Sequence, residues 1–248
     1  MITRRISPLK CIAQACRAKN SKPIFRCAAR RWNSDANSGI NSDGPSSLKL
    51  TYPPPPTSNH HNLSTFLDYA KRSGLDEETT VYVGTHYEYT VAAELARYGF
   101  YLQRIGGASD YGTDLLGTWK IPDSSGTIVK VLIQCKAGIQ RVGPQHVREL
   151  EGAFAGAPPG WRSDVMALLV CERSATKGVR DALGRSRWPM GYVFCERDGT
   201  PKQMIWNQKA EELGLAGLGV GARHSNSGTV LVLTKKGKML PLVPVAQG

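Results

Sequence analysis

The sequence predicts an α/β domain: a central mixed β-sheet flanked by helices on both faces. Three observations carry that expectation. The run "VMALLVCE" (165–172) is short, apolar and does not alternate, as a strand buried on both faces reads. The stretch "VKVLIQCKAG" (129–138) does alternate, so Val129, Val131, Ile133 and Cys135 leave one face while Lys130, Leu132, Gln134 and Lys136 leave the other. Between such runs lie segments of helical period, and helices interleaved with strands cover a sheet on both sides.

In chain order, Ser64 is placed to cap a short helix through Phe66, Leu67 and Ala70 that ends near Gly74. "TTVYVG" reads as a brief strand. "GTHYEYTVAAELARYGF" is a helix, with Tyr87, Val91, Leu95 and Tyr98 on one stripe and Gly99 as its stop. "FYLQRIGG" and "GTDLLGTWKIP" follow as strands around a glycine-rich turn, and Gly126 turns the chain into the 129–138 strand. Gly143 and Pro144 open a helix that turns Val147, Leu150 and Phe154 to one side. After "VMALLVCE" come a helix from about Ser174, a strand "GYVFCE" and the segment "KQMIWNQKAEELG". "TVLVLTKKGKMLPLV" resembles a hairpin around Lys235 to Lys238.

The front of the chain is different in kind. Residues 1–34 hold nine of the 32 Lys and Arg and no acid, with interspersed Ala, Ser and Cys. That is the composition of a mitochondrial transit peptide, and no secretory apolar run interrupts it. A basic arm that binds nucleic acid directly is the other reading of the same charges. Residues 35–62, rich in Ser, Asn, Gly and Pro and including the tetraproline Pro53 to Pro56, read as a disordered linker. The folded domain is expected over 63–248, with a core at about 79–215 and the C-terminal hairpin at about 229–244. Without the front segment the chain carries 23 basic against 20 acidic residues, so the body is only mildly basic. No run approaches the 18 or so apolar residues of a membrane span. Cys135, Cys171 and Cys195 lie far apart in apolar runs and lack CxxC spacing, so they read as buried thiols rather than a zinc site.

Phosphodiester hydrolysis needs charge neutralisation at the phosphoryl oxygens and an activated water. Carboxylate and carbonyl oxygens suit Mg2+, and a nearby lysine adds positive charge. Those parts occur in order: Glu88 on a helix, Asp114 on one strand, and Gln134 and Lys136 on the next. Adjacent strands lie roughly 4.8 Å apart, so Asp114 and the Gln134/Lys136 pair can converge if the two strands are neighbours.

In that order "GTHYEYTVAAEL", "GGASDYGTDLLG", "IQCKAG" and "VRELEGAF" resemble the Mrr-type branch of the restriction-endonuclease-like PD-(D/E)xK superfamily. More narrowly, the chain looks like the fungal mitochondrial "required for respiratory growth" proteins. The resemblance covers roughly residues 79–215 and implies a restriction-endonuclease-like core. It also implies a Mg2+-dependent nuclease (Mn2+ as a substitute) acting on mitochondrial nucleic acid, with DNA the expected substrate, in the matrix. By the same resemblance Asp114 is the principal metal ligand and Lys136 orients the attacking water. Gln134 stands where many members have an acid, Glu88 compensates for the missing charge, and the Cys135 carbonyl is a further ligand. Thr113-Asp114 replaces the superfamily's Pro-Asp. A homodimer is left open.

Each residue also has a plainer reading. Thr85 and Glu88 fit a capping box, in which Glu88 would satisfy a helix start. Asp110 suits a turn. Gln145, at a helix start after the site strand, can touch metal water or DNA or simply face solvent. Lys177 and Arg180, with Arg185, Arg187 and Trp188, offer either a phosphate-contacting surface or a solvated helix face. The scattered histidines form no HExxH, and no Walker lysine or GxSxG is present. From a different functional class, the alternative is a catalytically silent nuclease-fold module that binds nucleic acid or scaffolds mitochondrial genome maintenance or expression.

Overall fold

The computed structural model describes residues 50–107, 112–122, 126–138, 141–225 and 228–244. The transit segment at 1–34 and Asp110 lie outside the described residues.

Six strands form one mixed sheet in sequential order: β1 (Phe100–Arg104), β2 (Leu115–Lys120), β3 (Ile128–Lys136), β4 (Val165–Cys171), β5 (Met190–Cys195) and β6 (Pro201–Trp206). The β1–β2, β2–β3 and β5–β6 pairs are antiparallel, whereas β3, β4 and β5 run parallel. Parallel neighbours need crossovers, and helices supply them: α3 (Pro144–Gly156) joins β3 to β4 and α4 (Lys177–Arg185) joins β4 to β5. All seven residues of β4 are buried, as its unbroken apolar run requires.

Each face of the sheet has its own core. On one face Tyr87, Val91 and Leu95 of α2 (Thr80–Ala96) pack on Leu115, Trp119, Val131, Ile133 and Leu168. On the other, Val147, Leu150 and Phe154 of α3 and Val179 and Leu183 of α4 cover Leu116, Leu132 and Leu169. The period-two pattern of β3 thus divides between the two cores as its alternation predicts.

Three departures from the sequence expectation have physical reasons. "TTVYVG" is not a strand but the opening of α2. Thr79 caps that helix by accepting from the Tyr82 N–H at 3.2 Å, and the Tyr82 ring packs 5.3 Å from Phe66 of α1 (Leu63–Ser73). Tertiary packing there overrides the strand propensity of Val and Tyr. Because α2 starts at Thr80, Thr85 and Glu88 lie inside it, and Glu88 is not the second half of a capping box; the cap of α1 is Asn62 rather than Ser64.

Secondly, residues 50–62, read from composition as linker, pack on the domain. The Tyr52 ring lies 5.1 Å from Trp161, whose indole N–H donates to the Thr51 carbonyl at 2.9 Å, and His60 Nδ1 sits 2.8 Å from the Tyr89 hydroxyl. Thirdly, the C-terminal hairpin is part of a three-stranded sheet: β8 (Gly228–Lys235) pairs with β9 (Lys238–Met239) and with β7 (Leu218–Ser225). Leu231 and Leu233 of β8 seat this sheet on the α2-side core. It follows a short helix, α5 (Gln208–Ala210), that runs into a π-turn at Glu211–Leu215.

Candidate functional site

The antiparallel register pairs Leu115 with Ile133, and the Asp114 N–H donates to the Ile133 carbonyl at 2.9 Å, so Asp114 stands opposite Gln134 where the β2–β3 ladder ends. Leu116 and Leu132, two residues inward, share one core, which puts Asp114 and Gln134 on that same face. Asp114 is held firmly. Its Oδ2 accepts from the Cys135 N–H at 2.7 Å, while its own carbonyl accepts from the N–H groups of Ile105 and Gly106 at 2.8 and 2.9 Å.

Glu88 reaches the same spot from α2. A Cβ placed on Gly106 would lie 3.2 Å from Asp114 Oδ1 and 3.3 Å from Glu88 Oε2, so the two carboxylates flank the space that glycine leaves open. A second glycine, Gly112, has φ +80 and a would-be Cβ 3.3 Å from Gln134 Nε2, so the turn before Asp114 also approaches the site strand closely. Gln134 is 8% exposed, and among the described residues its Oε1 has no hydrogen-bond partner, nor does the buried Thr113 hydroxyl. An orphaned buried acceptor costs about 1–3 kcal/mol, and a fold keeps such an atom mainly where something else uses it.

Lys136, half-buried, follows two residues on along the same face of β3. Among the described residues it makes no hydrogen bond or ion pair. Beyond it, the Gly138 N–H donates to Glu172 Oε1 at 3.0 Å, tying the end of β3 to the end of β4. The Cys135 side chain turns to the α2-side core. Burial, reinforced by the negative charges of Asp114 and Glu88, pushes its thiol well above the ordinary range.

Sequence reasoning missed Arg104. It ends β1, two residues before Gly106, and its Nε donates to Glu88 Oε2 at 2.5 Å. Nη2 reaches the Thr85 hydroxyl at 3.4 Å, and the guanidinium lies 5.7 Å from the centre of the Tyr89 ring. Both ion-pair partners are largely buried, at 13% and 12% side-chain exposure. A lone basic residue at a strand end before Gly-Gly was the available signal, but its partner lies 16 residues away on a helix.

The other expected residues lie apart from this cluster. Lys177 pairs with Asp181 at 2.7 Å, and Arg180 Nη1 donates to the Ala175 carbonyl at 2.9 Å. Gln145 is exposed in the first turn of α3, folded back over Gly143. The starts of α3 and α4 nevertheless lie side by side, since a Cβ on Gly178 would sit 3.1 Å from Pro144.

Among the described residues no group of three or more His, Cys, Asp or Glu is placed to hold a metal ion. What the cluster offers is an all-oxygen donor set: the Asp114 and Glu88 carboxylates and the orphaned Gln134 amide oxygen. Such a set fits a hard cation that keeps several of its own waters, as Mg2+ does, and does not fit zinc.

The fold and the cluster together define an α/β protein with paired carboxylates, an amide and a lysine gathered at one end of a mixed sheet. The chain belongs to the family described as "Required for respiratory growth protein 7", whose model matches residues 79–128 and 124–223. It is 32% identical over 154 residues to an uncharacterised mitochondrial protein of Schizosaccharomyces pombe, an alignment covering 61% of each chain. It is 28% identical over 170 residues to Required for respiratory growth protein 7, mitochondrial, of Zygosaccharomyces rouxii, and 25% identical over 170 residues to that of Saccharomyces cerevisiae; each alignment covers 52% of this chain and 70% of the relative. The chain thus spans about three-fifths of the length of the fission-yeast relative. These relatives are named as mitochondrial proteins, and the present chain is mitochondrial. No solved structure matches it. Among the described residues no helix is long and apolar enough to cross a membrane.

Proposed function

We propose that this protein is a metal-dependent nuclease of the mitochondrial matrix with a restriction-endonuclease-like core, hydrolysing phosphodiester bonds in nucleic acid, with DNA the expected substrate. The observation that carries this reading is the convergence of Asp114 and Glu88 on the space beside Gly106, with the orphaned Gln134 oxygen opposite Asp114. Asp114, Glu88 and Gln134, with the Cys135 carbonyl, would hold Mg2+ or Mn2+. A bound divalent ion supplies a lowered water pKa and neutralises charge that develops on the phosphate.

The remaining work falls to the chain. The Cys135 N–H fixes Asp114 so that Oδ1, not Oδ2, faces Glu88. Lys136, which has no counter-ion among the described residues, would hold the attacking water and stabilise the extra negative charge on the phosphoryl oxygens. Lys177, Arg180 and Gln145, at the neighbouring starts of α3 and α4, contact the flanking phosphates, which position the strand without reading its sequence. A second reading is favoured by one specific observation: Arg104 already neutralises Glu88, as in a nuclease fold that binds nucleic acid and has given up cleavage.

The test is to incubate the purified protein with single- and double-stranded DNA and RNA, with and without Mg2+ or Mn2+. Cleavage should require the metal. Lys136→Ala should lower the rate a hundredfold or more, equivalent to about 2.7 kcal/mol, without loss of fold. Asp114→Asn should abolish it. Metal-independent binding with no cleavage of any substrate would instead establish the binding module.

A further inference from the structure

We propose that Arg104 is the resident counter-ion of this cluster, competing with a divalent cation for Glu88 and, once displaced, turning its guanidinium to a phosphate of the nucleic acid. The inference rests on the metal-site reading above and adds a residue that controls it.

Glu88 Oε2 accepts from Arg104 Nε, and it is also the atom that approaches Asp114 Oδ1 across Gly106. A cation seated between the carboxylates would therefore lie next to the guanidinium, where like charges in a largely buried setting repel. Either Arg104 stays and the cation binds weakly, or the cation enters and Arg104 lets go.

Arg104's other partners cannot hold it alone as a charge. The Thr85 hydroxyl and the Tyr89 ring are both neutral, so a guanidinium released from Glu88 has no other anion among its described partners. Formal charge points the same way: among the described residues Glu88 and Asp114 against Arg104 and Lys136 sum to zero, so these four groups balance without metal. A divalent cation makes the cluster doubly positive, and a phosphodiester group, with its single negative charge, offsets half of that excess. Arginine suits that exchange, because its planar fork matches phosphate as well as carboxylate. Cation and nucleic acid should accordingly bind better together than separately.

The experiment titrates Mn2+ into the purified full chain and follows the free-ion electron paramagnetic resonance signal. Wild type is compared with Arg104→Met, Arg104→Gln, Asp114→Asn and the double variant Arg104→Met with Glu88→Gln. Removing the Arg104 charge should tighten Mn2+ binding tenfold or more, and the double variant should lose that gain because Glu88 can no longer use its freedom. Asp114→Asn should lose binding. Glutamine at position 104 keeps a donor to Glu88 without the charge, so it gives the answer if the methionine variant does not fold, with thermal melting as the check. If both Arg104 variants bind Mn2+ no more tightly than wild type while Asp114→Asn still loses it, Arg104 is only a structural partner of Glu88 and this inference is overturned while the metal-site reading stands. If Asp114→Asn binds as wild type does, the metal-site reading fails and this inference with it.

Discussion

At the scale of single residues, Gln134 is the position where cost and purpose separate most clearly. Its amide oxygen is buried and unpartnered, although an apolar side chain of the same length would suit the β3 face it shares with Leu132. Gln134→Met should therefore stabilise the fold by about 1 kcal/mol, visible as a melting temperature higher by about 2–4 °C, while weakening Mn2+ binding. A lower melting temperature would mean that the amide is satisfied and not held for a ligand. Gln134→Glu makes the complementary point: it adds a charge where Asp114 and Glu88 already gather, so it should tighten Mn2+ binding and destabilise the metal-free protein. Arg104 belongs to the same scale. A residue invisible to motif reasoning becomes central once its partner is seen.

Among elements, the segment at 50–62 changes most between sequence and structure. Proline and serine describe its own preferences, but Tyr52 on Trp161 and His60 among Phe66, Tyr69 and Tyr89 bind it to the domain. His60 is held neutral, its pKa pushed below the ordinary 6.5 by burial first and then by the positive charges of Arg104 and His61. As pH falls through the ordinary value, the unfolded chain takes up a proton before the folded one does, so stability is retained above about pH 6.5 and declines below it until the folded group also protonates. Melting curves between pH 7.5 and 5.5 should show this decline, and His60→Phe, which keeps the ring packing, should reduce it. An unchanged pH dependence in that variant would remove His60 as its source.

For the whole molecule, two cores on one six-stranded sheet leave little room for reactive chemistry in the interior. Burial is the main cause that pushes both the Cys171 and Cys195 thiols up to about 12, and both are free. Neither should react with iodoacetamide at pH 8 until the protein unfolds, which a urea series read by mass spectrometry would register; modification in native buffer would show that the sheet opens locally. The body's charge makes a second prediction. With 23 basic against 20 acidic residues beyond position 34, its affinity for nucleic acid should be moderate and should fall as salt rises. Binding that ignores salt would argue against a phosphate-tracking surface.

What the sequence determined by itself is what rests on local periodicity. The two faces of β3, the fully buried β4, the Gly143-Pro144 start of α3 and the core stripe of α2 all follow from which neighbouring residues are apolar, and each is found as read. The order of Glu88, Asp114, Gln134 and Lys136 was legible too. Their approach to one another depended on β2 and β3 being neighbours, which tertiary pairing decided. Tertiary structure alone decided the rest. It extended α2 back to Thr80 against its local propensity, packed residues 50–62 on the domain, joined β7 to the C-terminal hairpin and set Arg104 on Glu88. The physical reason is common to all four: periodicity reports how a segment meets its nearest neighbours along the chain. Which distant group satisfies a given charge, ring or backbone edge is settled only when the chain is folded.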